Sequence, residues 1–227
     1  MSLVWYVSYG SNMHLDRFVR YLDLCRDPTP PAATRPLIVP GGVYFATESP
    51  IWGGGRAFYD ADLPRTTAGR AYLITERQFA DVVEQEMYRP PGQDLDLRPV
   101  LRPALNDGHP DPSDGSPGLS DGHADLSDGR PLLGDGYHRP GSGPGRHALG
   151  PGRYETLLHL GDHDGHPALT FTAPWRAQDV EHTAPSAPYL KMLKEGLRAA
   201  HGWTPDRIAA YLAACTTFWT PQDIESL

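Results

Sequence analysis

Two places in this 227-residue chain combine residue types that could do chemistry. The first is Tyr9-Gly10-Ser11-Asn12, lying between a short apolar run and residues spaced like a helix. A turn that opens a helix leaves backbone N–H groups without intrahelical partners, and these suit a carboxylate or a developing oxyanion. Gly10 lets the backbone turn tightly, and Ser11 or Asn12 can cap the new helix with a side-chain oxygen. An ordinary capped turn is therefore the competing reading. The second place is Glu86, which falls where the apolar face marked by Phe79, Val82 and Val83 continues. A carboxylate on that face loses solvation, and near the C-terminal end of a helix the dipole disfavours it further. Both effects raise its pKa toward the range of a general acid/base. A Glu paired with an arginine, or a helix that ends earlier in solvent, accounts for the same pattern. Glu84 points elsewhere by the same periodicity and reads as a solvated surface charge.

The elements that must position these residues are legible in outline. Leu3–Val7 is rich in β-branched and aromatic side chains and reads as a buried strand. Leu15, Phe18, Val19 and Leu22 recur at helical steps, so a first helix is expected over Met13–Leu24. Leu37–Val39, Val43–Thr47, Arg56–Tyr59 and Ala68–Ile74 read as strands, with the turn Trp52-Gly53-Gly54-Gly55 before the third. No Gly-Lys-Ser/Thr follows those glycines, so they are not a phosphate loop. Thr75 and Gln78 form a capping box that opens the helix of Phe79 and Glu86. Later, Tyr154–Leu160 and Ala168–Ala173 read as a hairpin, Tyr189–His201 as a helix, and Thr204-Pro205 as the start of a last helix. About six strands and four helices result, an α+β domain that a small mixed β-barrel with packed helices would satisfy.

Between positions 90 and 152 the composition changes, with repeated Asp-Gly pairs and scattered proline. Such a segment has too little apolar surface to offset its ordering entropy, and a mostly disordered insert within a single domain over 1–227 is expected. Its histidines, His109, His123, His138 and His147, show no ligand spacing, so no metal site is expected there. A formal net charge of -8 argues against nucleic acid or an anionic membrane as partner. No apolar run approaches the roughly 20 residues that span a bilayer. The first residues form a strand-like run rather than a basic signal-peptide start. Cys25 and Cys215 read as buried free thiols in a reducing cytoplasm, with a disulfide between them left open.

Four stretches, taken in order, resemble the γ-glutamylcyclotransferase-like family. Tyr9-Gly10-Ser11-Asn12 after an N-terminal strand is similar to its signature loop, and Glu84-Gln85-Glu86 to its catalytic-glutamate segment, in which the second glutamate is essential. Trp52-Gly53-Gly54-Gly55 resembles its Trp-x-Gly-Gly stretch, and Ser186-Ala187-Pro188-Tyr189 the segment that supplies a pocket tyrosine. The likeness covers about 1–88 and 153–215. It implies a small β-barrel with peripheral helices in which loop and glutamate meet at one pocket.

It also implies a reaction. The α-amino group of a γ-glutamyl compound attacks its own γ-carbonyl, giving 5-oxoproline and a free amine or amino acid. On that reading Glu86 is the general acid/base, the Gly10, Ser11 and Asn12 amides hold a carboxylate or oxyanion, and Tyr9 and Tyr189 shape the pocket. A small-molecule γ-glutamyl substrate is implied, and neither metal nor organic cofactor. Either Tyr88 or Tyr154 fills a further tyrosine position. The competing class is a non-catalytic binding module that uses the pocket for carboxylate or γ-glutamyl ligands and the insert for protein contacts. A zinc-dependent amidohydrolase or deacetylase, suggested by ten histidines, lacks a His/Asp constellation of ligand spacing.

Overall fold

A computed structural model describes residues 2–102 and 145–227. The centre of the insert, with His109, His123 and His138 and the disorder expected of it, lies outside the described residues.

Among the described residues, eight strands and six α-helices follow in the order β1 (Leu3–Ser8), α1 (Leu15–Leu22), β2 (Ala33–Pro40), β3 (Gly42–Glu48), β4 (Gly55–Asp60), β5 (Thr66–Thr75), α2 (Glu76–Glu86), α3 (Arg98–Leu101), β6 (Gly145–Ala148), β7 (Thr156–His163), β8 (His166–Thr172), α4 (Ala187–His201), α5 (Pro205–Ala214) and α6 (Pro221–Glu225). The expected barrel with peripheral helices takes the form of a six-stranded mixed sheet, β2-β5-β1-β8-β7-β6, and a two-stranded ribbon, β3-β4. The ribbon is stitched to the sheet by a side chain. Thr172 Oγ1 accepts from the Tyr59 N–H at 3.1 Å and donates to the Tyr59 carbonyl at 2.7 Å.

β1 is the organising strand. It pairs antiparallel with β5 along its whole length and parallel with β8 through Trp5↔Ala168 and Tyr6↔Leu169. Core clusters cover both of its faces, Val4 and Tyr6 in one and Trp5 and Val7 in another, which is why the run is apolar without alternation. The register explains how two residues far apart in sequence meet. β5 ends with Thr75 opposite Leu3, at the start of β1. α2 then runs back along β1, and its 11 residues cover about 16 Å against about 20 Å for the six-residue strand. The last residue of α2 therefore arrives beside the loop that leaves β1.

Several expectations change here. The first helix is shorter than Met13–Leu24: a 3-10 turn, Ser11–Met13, precedes α1, and only Phe18 and Leu22 of its expected apolar face are buried. Leu15 and Val19 stay exposed because α1 offers a narrow stripe to the core. Glu84 is no solvated charge. It is buried and paired with Arg89 at 2.6 Å, and Arg89 also holds Glu155 on the far side of the insert. The insert is narrower than 90–152. Leu97 and Val100 are buried in the core cluster around Tyr6, Phe79 and Phe171, and β6, which contains His147, pairs with β7. These short apolar pieces find partners only in the folded chain, so composition averaged over the segment hides them. Cys25 and Cys215 are both free and buried, each thiol pushed up to about 12 by burial. Among the described residues no helix is long and apolar enough to cross a membrane.

Candidate active site

The loop after β1 is held from below. Tyr72 Oη donates to the Asn12 carbonyl at 2.7 Å, Arg70 Nη1 to the Met13 carbonyl at 3.0 Å, and Tyr9 Oη to the Phe171 carbonyl at 2.8 Å. The first amide used inside the 3-10 turn is that of Met13, which donates to the Gly10 carbonyl. The Ser11 and Asn12 amides precede it and have no intrahelical acceptor, as at any helix start. Neither side chain caps α1, whose N-cap His14 makes no side-chain cap bond. Ser11 Oγ accepts from Arg17 Nε at 2.8 Å, and Asn12 Nδ2 donates to Glu86 Oε1 at 3.0 Å. The capped-turn reading is thereby set aside: both side chains are turned to the pocket.

Glu86 is the last residue of α2, half-buried by surface yet enclosed deeply enough that desolvation governs its acidity. Burial holds its carboxyl above the usual carboxylate range. Hydrogen bonds from Tyr21 and Asn12 and the charges of Arg17 and Arg153 act in the opposite direction. Asn12 Oδ1 is buried with no hydrogen-bond partner, an acceptor left beside the carboxyl.

Ser11, Asn12 and Glu86 line one cavity of about 40 Å³ with Tyr6, Ser8, Tyr9, Gly10, Ala57, Tyr154, Phe171 and Tyr189. A second lobe of about 40 Å³ adjoins it across Ser11, Glu86, Tyr154 and Tyr189. Of the residues expected from sequence, Tyr9, Gly10, Ser11, Asn12, Glu86 and Tyr189 thus share one pocket. The tyrosine alternative resolves to Tyr154 in the inner cavity. Tyr88 lies only in the outer lobe and is exposed.

Tyr189 arrives through the glycine turn. The Ser186 side chain caps α4 by accepting from the Tyr189 amide and donates its own proton to the Trp52 carbonyl at 2.7 Å. Gly54 has φ +95°, and a Cβ there would lie 2.5 Å from the Ala184 carbonyl oxygen. The Trp52 ring then stacks on Tyr189 with centroids 5.3 Å apart. Sequence reasoning missed Tyr6, Tyr21, Arg17, Arg56 and Arg153. An arginine on a helix or strand carries no local mark that separates a pocket cation from a solvated one.

The sequence matches no family model. A 99-residue stretch is 38% identical to histone deacetylase 5 of Arabidopsis thaliana, covering 37% of this chain. The chain spans 15% of the length of that relative. Among solved structures, a γ-glutamyl cyclotransferase is 14% identical over 99% of both chains, with a TM-score of 0.47. An uncharacterised human protein is 13% identical over 100% of both chains, with a TM-score of 0.50. At such identities the likeness is one of fold. The chain shares its fold with that human protein, and it brings the loop after its first strand and the last residue of α2 to a common pocket.

Proposed function

We propose that this chain is a γ-glutamyl cyclotransferase, converting a γ-glutamyl amino acid or γ-glutamylamine to 5-oxoproline and a free amine. The observation that carries the reading is the half-buried Glu86 carboxyl hydrogen-bonded to Asn12 at 3.0 Å on the pocket wall. A carboxylate beside the unpartnered Asn12 Oδ1 suits an α-ammonium group. Glu86 takes a proton from that ammonium, and the freed amine attacks the γ-carbonyl to form the ring C–N bond. The Ser11 and Asn12 amides steady the oxyanion or hold the glutamyl carboxylate. Breakdown expels the leaving nitrogen. Of the three ammonium protons, one stays on the lactam nitrogen and two end on the leaving ammonium, so Glu86 relays both in turn. Because the nucleophile is tethered, the pocket mainly folds the substrate into attack geometry, the role left to Tyr154 and Tyr189.

This chemistry calls on no metal or organic cofactor, and two free buried thiols fit a reducing cytoplasm. The test is a panel of γ-glutamyl dipeptides and γ-glutamylamines with 5-oxoproline followed by mass spectrometry, beside Glu86→Gln. Product from the wild type and loss in the variant support the enzyme. Binding of these compounds without any 5-oxoproline indicates a binding module.

A further inference from the structure

The outer lobe carries three arginines. Arg17 and Arg153 hydrogen-bond Ser11 and Glu86, which line both lobes, and Arg56 is the third cation lining the outer one. None has an ion-pair partner within 4 Å among the described residues; Arg20, Arg70 and Arg207 elsewhere also have none, so what sets these three apart is that they line one cavity together. In an acidic chain, three unneutralised guanidinium groups around one cavity need a separate explanation.

They are held by groups that leave their charge intact. Arg17 rests against the Tyr21 and Trp52 rings at 5.6 and 5.2 Å and donates to Ser11 Oγ. Arg153 lies 4.3 Å from the Tyr88 ring centroid, gives Nη2 to the Glu86 carbonyl at 2.8 Å, and keeps a buried Nε without a partner. Arg56 gives Nη1 to Thr47 Oγ1 at 3.0 Å. A guanidinium stacked on a ring keeps its edge donors available for a carboxylate.

We propose that this lobe is a leaving-group subsite selecting amines that carry two negative charges, as an acidic α-amino acid does. The inference rests on the cyclotransferase reading for which group enters the lobe. The charges decide the class. The ammonium and carboxylate of the glutamyl part cancel, and Glu86 supplies at most one negative charge, so two of the three positive charges remain to be met. In an α-amino acid leaving group one carboxylate sits a single carbon from the scissile nitrogen and falls to Arg17 and Arg153, which hydrogen-bond residues lining both lobes. The side-chain carboxylate is then left to Arg56, the third guanidinium lining the lobe. A polyamine leaving group would bring further positive charge into the lobe.

The experiment compares γ-glutamylglutamate, γ-glutamylglutamine, γ-glutamylethylamide and γ-glutamylphosphoethanolamine. Wild-type kcat/KM should favour γ-glutamylglutamate over γ-glutamylglutamine by roughly 10- to 100-fold, the worth of one charged hydrogen-bonded pair. Arg56→Gln should collapse that ratio several-fold and Arg56→Lys restore part of it, with thermal unfolding checking that both variants are folded. A phosphoethanolamine conjugate that matches γ-glutamylglutamate supports a dianion site indifferent to its source; preference for the dicarboxylate supports the amino-acid form. Calorimetric affinities of the same compounds for the Glu86→Gln protein give the order without turnover. That affinity order with no 5-oxoproline from any substrate overturns the enzyme and keeps the subsite. Turnover with equal rates, or a ratio that Arg56→Gln leaves unchanged, overturns the subsite and keeps the enzyme.

Discussion

Glu86→Gln removes the proton shuttle while keeping the shape of the pocket, which makes it the most informative single change. The amide has the size of the carboxyl, and Asn12 Nδ2 can still donate, at the present 3.0 Å, to the remaining carbonyl oxygen. Binding of the glutamyl part should therefore change little, with KM within a few-fold. The lost step is proton transfer, for which a positioned group contributes about 10²- to 10⁴-fold, or roughly 3 to 5 kcal/mol of barrier. The predicted signature is a fall of that size in kcat at near-constant KM, measured by 5-oxoproline release. A variant that keeps more than a tenth of wild-type kcat would refute the assignment of Glu86. Stability supplies a second, independent readout with a definite sign. Burial raises the folded-state pKa of Glu86, so between its unfolded and folded pKa values the folded chain binds more protons than the unfolded one. Its contribution is most favourable below the unfolded pKa, near 4.3, and is lost as pH rises through the folded pKa. The variant should thus gain on the wild type above that window and lose the advantage below about pH 4, as read from urea midpoints across pH.

The raised pKa also places the acidic limb of wild-type kcat/KM above the ordinary carboxylate range, because the base form of Glu86 must accept the first proton; a limb near pH 4 counts against it. Gly10→Ala directs its Cβ toward Tyr189 Oη, 3.5 Å away, in an extended backbone that tolerates any residue. KM should rise several-fold with the unfolding temperature nearly unchanged. Gly54→Ala combines a positive φ with a 2.5 Å approach to the Ala184 carbonyl and should cost about 3 kcal/mol in chemical denaturation. Val100→Ala tests the ordered flank of the insert: a fully buried side chain there predicts a loss of about 2 kcal/mol, against almost none for a solvated linker.

The loop after β1 and Glu86 stood out in the sequence because each breaks a local pattern: a Gly-Ser-Asn turn where a strand meets a helix, and a carboxylate on an apolar face. Strand β1, the capping box of α2 and the proline start of α5 were legible for the same reason, since their signals lie within a few residues of each other. The fate of Ser11 and Asn12 was not. Their side chains could cap a helix or face a pocket, and the choice turned on Arg17 and Glu86 arriving beside them. Glu84 shows the limit of periodicity, because its burial depends on Arg89 and on Glu155 across the insert. The outer lobe was wholly a tertiary product. Arg17, Arg56 and Arg153 belong to α1, β4 and the segment before β7, and a cation becomes part of a site only when folding gathers its neighbours and leaves it without a counterion. Residue type and spacing determined what each segment could do; long-range pairing on both sides of β1 decided which segments do it together.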